Sequence, residues 1–212
     1  PSGFTIIEML IVIVMLAAMM GALGIVSFTG RNAYEQATVM NDLDSRGARA
    51  LARVTEELTT ISGTQMNPVP TGNAGSEVLD FVQAVGFAAG NPIWGPNMRI
   101  GAEYEAGEVD DGVDNDRDGL VDERMLVLTR DVASLNPKRV VLVRGVREWG
   151  EGENPNNNID DNANGVTDEQ GFNMHMVGDV VSLRLWLQAV DADNQVIIRE
   201  IQNTVRLRNG GI

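Results

Sequence analysis

Apolar residues crowd the beginning of the chain: from Phe4 to Phe28 a 25-residue run carries one charge, Glu8, a turn inside its start. Wound as a helix it reaches about 37 Å at roughly 1.5 Å per residue, enough to cross a hydrocarbon core about 30 Å thick. After Arg31 the pattern narrows to one face. Met40, Leu43, Gly47, Ala50, Val54, Leu58 and Ile61 recur three or four places apart, and no proline falls between Ser2 and Met66. This spacing predicts that the same helix continues beyond the membrane with one buried stripe. Gly63 supplies a stop signal, so the end is expected near Ser62.

Beyond a Gly/Pro/Asn-rich connection from Ser62 to Ser76 the period shifts from helical to alternating. The clearest strands are expected at Met125 to Thr129, Arg139 to Val146, Val180 to Ala189 and Gln195 to Leu207. Glu77 to Val85 is compatible with strand or helix and is read as a further strand. Val181, Leu183, Leu185 and Leu187 alternate with Ser182, Arg184, Trp186 and Gln188, and Asp191-Ala192-Asp193-Asn194 reads as the turn of a terminal hairpin. The fold class expected is α+β: a long N-terminal helix with a C-terminal head built on an antiparallel sheet.

A carboxylate near the end of a membrane span costs about 2.5–3.5 kcal/mol, so Glu8 calls for a partner. The segment Gly3-Phe4-Thr5-Ile6-Ile7-Glu8-Met9-Leu10-Ile11-Val12-Ile13 resembles the processing site and first helix of the type IV pilin and pseudopilin superfamily. That resemblance implies that a prepilin peptidase cuts after Gly3, that the new terminal amine on Phe4 is methylated, and that Glu8 is an assembly residue. In such filaments the amine of one subunit meets the acid of its neighbour. Two unit charges about 4 Å apart attract by roughly 4 kcal/mol at an effective dielectric near 20, comparable to the cost of burying the acid. The resemblance implies four parts: residues 1–3 as a leader remnant, 4–30 as a transmembrane and assembly helix, 31–62 as its amphipathic continuation, and 63–212 as the head. The closing Thr204-Val205-Arg206-Leu207-Arg208-Asn209 is similar to the end of the PilW and J-type pseudopilin groups.

Composition narrows the chemistry. Cysteine is absent, which excludes disulfides, thiolate metal sites and cysteine nucleophiles. A net charge of −14 argues against nucleic acid as a partner. Nearly all of that charge sits in two short segments, 108–123 and 151–169. Within them Asp114-Asn115-Asp116-Arg117-Asp118-Gly119-Leu120-Val121-Asp122-Glu123 aligns without gaps to Asp160-Asp161-Asn162-Ala163-Asn164-Gly165-Val166-Thr167-Asp168-Glu169, 46 residues later. Oxygen side chains at the first, third, fifth, ninth and tenth places, with glycine at the sixth, suit a loop that wraps a hard cation. Calcium is the expected ion, at two sites. The first would use Asp114, Asp116, Asp118, the Leu120 carbonyl, Asp122 and Glu123. The second would use Asp160, Asn162, Asn164, the Val166 carbonyl, Asp168 and Glu169, and should be weaker for its two asparagines. The loops resemble EF-hand and thrombospondin-type calcium loops, with Met125 and Gly171 where an EF-hand has its twelfth-place Glu. Metal closure would then rigidify a head that has no disulfides.

His175 between Met174 and Met176 fits packed methionines better than a copper site. No P-loop, dinucleotide turn or nucleophile elbow occurs. The function expected is non-enzymatic: a structural subunit of a type IV pilus-like filament, inserted in the inner membrane as a precursor, then extracted by assembly machinery into an extracellular homopolymer of identical subunits. The alternatives are a minor pseudopilin of type II secretion, a membrane-tethered calcium-dependent binding module, and a tethered hydrolase.

Overall fold

The computed structural model describes residues 5–61, 65–154 and 157–207. A helix, α1 (Ile6–Leu58), leads into ten strands: β1 (Met66–Asn67), β2 (Val78–Phe81), β3 (Ala84–Ala88), β4 (Asn91–Trp94), β5 (Met98–Tyr104), β6 (Arg124–Arg130), β7 (Lys138–Val146), β8 (Phe172–Val177), β9 (Val180–Val190) and β10 (Val196–Arg206). The α+β class and the single long helix are as the sequence leads one to expect. Gly3 and Phe4 lie outside the described residues.

α1 begins with a capping box. The Thr5 side chain accepts from the Glu8 amide, and the Glu8 carboxylate accepts from the Thr5 N–H and hydroxyl at 2.8 Å each. Two of the free amides that every helix start exposes are thereby satisfied. The helix runs 53 residues, about 80 Å at 1.5 Å per residue. It ends four residues before Ser62. The Thr59 and Thr60 hydroxyls donate to the carbonyls of Glu56 and Glu57, and Thr60 and Ile61 donate their N–H groups three residues back to Glu57 and Leu58. These short-range bonds tighten the last turn and close the helix before any glycine is reached.

The two halves of α1 meet different surroundings. Ile6 to Phe28 is exposed along its whole length, and this is the one described helix long and apolar enough to cross a membrane. From Leu43 onward one stripe is buried: Leu43, Gly47, Ala50, Leu51, Val54 and Leu58, continued by Ile61. Met40 is exposed and does not join it; Val39 packs at that level instead. The stripe packs on β10, β9 and β7. Gly47 sits where side chains of the sheet press on the helix: a β-carbon there would lie 2.7 Å from Ile201 Cδ1 and 3.2 Å from Leu187 Cδ1. Polar clamps fix the register. Arg199 grips Asp44 with two bonds of 3.0 Å, and Asn203 donates to Thr55. The buried Glu57 takes Arg130 at 2.7 Å, Arg53 at 2.5 Å and the Gln83 amide at 2.9 Å. A buried carboxylate with three donors is compensated rather than left as a desolvated charge.

The main sheet is antiparallel in the order β1-β2-β5-β6-β7-β9-β10, with β8 also pairing β9. β9 is its hub. It runs against all of β10, meets β7 at the Val146–Leu187 pair, and pairs β8 from Val180 to Leu185. Val181, Leu183, Leu185 and Leu187 are fully buried, as the alternation requires. Trp186 and Gln188 on the alternate positions are buried as well. The Glu77 to Val85 segment resolves into β2 and the start of a separate two-stranded β3–β4 hairpin.

Replacing Gly47 tests the stem–sheet contact. Leucine gains roughly 0.8–1.0 kcal/mol of helix propensity over glycine, whereas overpacking costs about 1–3 kcal/mol. Gly47→Leu is therefore expected to lower the urea midpoint of the detergent-solubilised chain, and a midpoint raised by the full propensity gain would contradict the close approach.

Candidate metal centres in two acidic loops

The first acidic loop joins β5 to β6 and the second joins β7 to β8, so neither is flanked by helices. Their necks are built alike. Glu105 donates its N–H to the Glu123 carbonyl at 3.1 Å, and Gly150 donates to the Glu169 carbonyl at 2.9 Å. A tight turn follows each neck, closed by the Glu108 N–H on Glu105 and the Glu153 N–H on Gly150.

Inside, the hydrogen bonds repeat nearly place for place. Asp114 accepts from the Arg117 and Gly119 amides, and Asp160 from the Asn164 and Gly165 amides. Asp116 accepts from the Asp118 amide and Asp118 from the Leu120 amide; Asn162 and Asn164 accept in the same way from Asn164 and Val166. Asp122 binds the amides of Asp111 and Gly112, and Asp168 those of Asn157 and Asn158. The left-handed turns coincide too: Arg117 with Ala163, Gly119 with Gly165, Asp122 with Asp168. Such φ values are costly for residues with a β-carbon, and here side-chain bonds to the following amides hold them. The ten-residue repeat read from sequence is thus a repeat of backbone structure.

The ninth-place acids have a definite position. Both oxygens of Asp122 are on backbone amides, and its carboxylate lies with those of Asp110 and Glu148. The carboxylates of Asp114, Asp116 and Asp118 come together, and Asp116 also joins Glu108 and Glu123. In the second loop Asn162 and Asn164 donate their side-chain amides to Glu169 Oε1, at 3.2 Å for Asn162. Leu120 and Val166 turn buried side chains into the head and anchor each loop there.

Two residues escaped the sequence reading: Glu108 and Glu153. Glu108 Oε1 accepts from the amides of Asn115 and Asp116 at 3.0 and 2.9 Å, and Glu153 Oε1 accepts from Asn162 at 3.1 Å. Each thereby reaches across its loop to the third place. A signal existed, since both follow a glycine with positive φ, Gly107 and Gly152. It was hidden because Glu108 precedes Asp114 by six places and Glu153 precedes Asp160 by seven, a gap that breaks the 46-residue offset.

The decisive observation concerns oxygen atoms without partners. Glu108, Glu123, Glu153 and Glu169 each hold one buried Oε2 that accepts no hydrogen bond. Glu108 is 5% exposed, Glu123 2% and Glu169 0%. Unpartnered buried carboxylate oxygens are strongly unfavourable, and a cation is the partner that an acceptor-only group requires. The donors are all oxygen, the set that suits a hard divalent ion. The acidic groups here could hold a metal ion, and in the first loop two carboxylate triads, Glu108-Asp116-Glu123 and Asp114-Asp116-Asp118, share Asp116.

The electrostatics agree. Burial, with the nearby charges of Asp118, Glu108 and Asp116, pushes the Glu123 carboxyl up to about 7 against one opposing backbone hydrogen bond. Burial also raises Glu169, opposed by the Asn164 and Asn162 amides and by Arg184. Glu148 is raised by burial and by Asp110, and beside it the Tyr104 phenol is pushed up to about 12 by burial and by Glu148. No family model, curated protein or solved structure matches this chain.

These shifts fix a pH dependence. A carboxyl raised in the folded state adds stability that is complete below its unfolded value near 4.5 and is lost as pH rises through about 7. In chelator, the melting temperature of the head should fall by several degrees between pH 5 and pH 8. With saturating divalent cation the fall should shrink or reverse, because the ion needs the ionised form. Melts followed by circular dichroism check this; identical slopes with and without cation would contradict it.

Proposed function

We propose that this chain is a structural, non-enzymatic subunit of an extracellular type IV pilus-like filament, polymerised through α1 and carrying a calcium-stabilised head. The observation that carries the reading is the division of α1. Its first half offers apolar side chains on every side and packs on nothing among the described residues, while its second half is fastened under the sheet. An apolar rod of this kind is satisfied either by lipid or by the rods of neighbouring subunits. The resemblance of Gly3 to Ile13 to the prepilin motif supports the second destination after a precursor stage in the inner membrane. A capping-box carboxylate still has acceptor capacity, so Glu8 can receive the amine of an adjoining subunit while keeping Thr5.

Calcium suits the loops because it takes six to eight oxygens in flexible geometry, whereas magnesium holds a stricter octahedron and more water. Sites with affinities of about 10⁻⁴–10⁻³ M would be largely filled outside a cell. Their role is to hold the head rigid where cysteine is absent.

Glu8→Ala is expected to insert into the inner membrane normally and to abolish filaments, read by carbonate extraction and by electron microscopy of sheared fractions. Wild-type filament yield from that variant would end the assembly reading. For the head, calorimetric titration should show saturable calcium uptake. Asp114→Ala combined with Asp118→Ala should remove the first-loop component, by tenfold or more in affinity, and a wild-type chain that takes up no calcium would end the metal reading.

A further inference from the structure

The two loops share a backbone and differ in charge. The first sets two carboxylate triads that share Asp116, Glu108-Asp116-Glu123 and Asp114-Asp116-Asp118, and among the described residues no ion pair reaches any of the five. The second replaces Asp116 and Asp118 with Asn162 and Asn164, and an ion pair from Arg184 reaches its Glu169. Arg184 projects from β9 so that Nη1 stands 3.5 Å from Glu169 Oε1, while Nη2 donates to the Asn164 carbonyl at 2.9 Å. Glu169 is the completely buried glutamate whose Oε2 has no partner, and Glu153 across the loop has the same orphaned atom.

We propose that Arg184 is a displaceable internal counter-cation: it neutralises the second loop when no metal is present and competes with a divalent cation for the space between Glu153 and Glu169. The inference rests on the metal reading of the loops and assigns a regulation to one of them.

The grip of Arg184 is weak for a buried pair. Its Nη1 is buried without a hydrogen bond, and the contact with Glu169 is single and long. Arg199 on Asp44 shows the contrast, with two parallel bonds of 3.0 Å in the fork geometry that makes arginine–carboxylate pairs strong. Arg184 is held by charge more than by fit. It also has space to move: a cavity of about 260 Å³ opens between the Asn164-Gly165-Val166 turn and Asn173, His175 and Ser182 of the sheet, with Arg184 itself in its lining. A guanidinium drawn into that space leaves the unpartnered Glu169 Oε2 to the entering ion, while Oε1 keeps the Asn162 and Asn164 amides. Exchange of the singly charged guanidinium for a divalent ion leaves a cation beside Glu169 in both states, so the buried carboxylate is never without a counter-charge.

Calcium titration of the full chain in detergent tests this, with Asp114→Ala plus Asp118→Ala present to silence the first loop. Removing a unit positive charge a few ångströms from the site should tighten binding in the second loop on the order of ten- to hundredfold in Arg184→Gln. Arg184→Lys, which keeps the charge, should stay near the wild-type affinity, and Glu153→Gln should remove the site. An unchanged or weakened affinity in folded Arg184→Gln overturns the proposal. Should that variant not fold, arginine side-chain NMR of the wild type decides: the Arg184 guanidinium resonances must shift as the second loop fills, and fixed resonances overturn the idea. First-loop uptake with no Arg184 effect defeats this inference alone; absence of uptake in both loops defeats the metal reading beneath it.

Discussion

One helix must satisfy two surroundings, and the rest of the molecule follows from that. The first half of α1 is apolar all round and can be at rest only in lipid or among other such helices. The second half needs water on one side and a core on the other, so its apolar stripe is narrow and periodic. Each fully buried aliphatic side chain on that stripe contributes about 1.5–3 kcal/mol. Leu43, Leu51, Val54 and Leu58 together make the stem part of the head's own core. The head therefore cannot swing freely on the helix. Arg199 on Asp44 and Arg130 on Glu57 lock the two at points 13 residues apart along α1, so force along the rod passes into β10 and β6.

The acidic loops act from another part of the same strand system. Gly119 comes against Val190, and the Asn164 carbonyl takes Arg184, so both loops bear on β9, the strand that also packs on α1. Their buried glutamates are a liability in isolation. Four orphaned oxygens within two short loops oppose folding by desolvation and mutual repulsion. Yet the backbone amides gathered by Glu108, Asp114, Asp122 and their counterparts preform the loop around them. A preformed shell loses little entropy when an ion enters, which is the physical advantage of building the turns from Asx-type bonds.

The stem and terminal hairpin were legible because their patterns are long and face a single core. Val181 to Leu187 alternates cleanly, and β9 and β10 lie where that alternation puts them. β5 and β8 were harder. Ile100-Gly101-Ala102 and Phe172-Asn173-Met174 are buried at consecutive positions, so no two-residue period marks them. The helix end was misplaced because threonine hydroxyls, not a glycine, finish α1. In the loops the repeated ten residues were visible by spacing alone. The paired glutamates Glu108 and Glu153 were not, since a one-residue difference in the connecting turn is invisible to a gapless comparison yet leaves the three-dimensional reach of the side chain intact.

Divergence between the loops then has a simple physical meaning. Both keep what the backbone needs: glycine at the sixth place, an acid at the first, and an acid at the ninth to gather two amides. At the third and fifth places the second loop has amides where the first has acids, and Arg184 stands alongside, differences that weaken the pull of those places on a cation while the turn is kept. A loop whose fold is fixed by amide bonds can change its charge freely, because its shape no longer depends on the ion it would hold. This separation lets both loops keep one turn while the charges set around it differ.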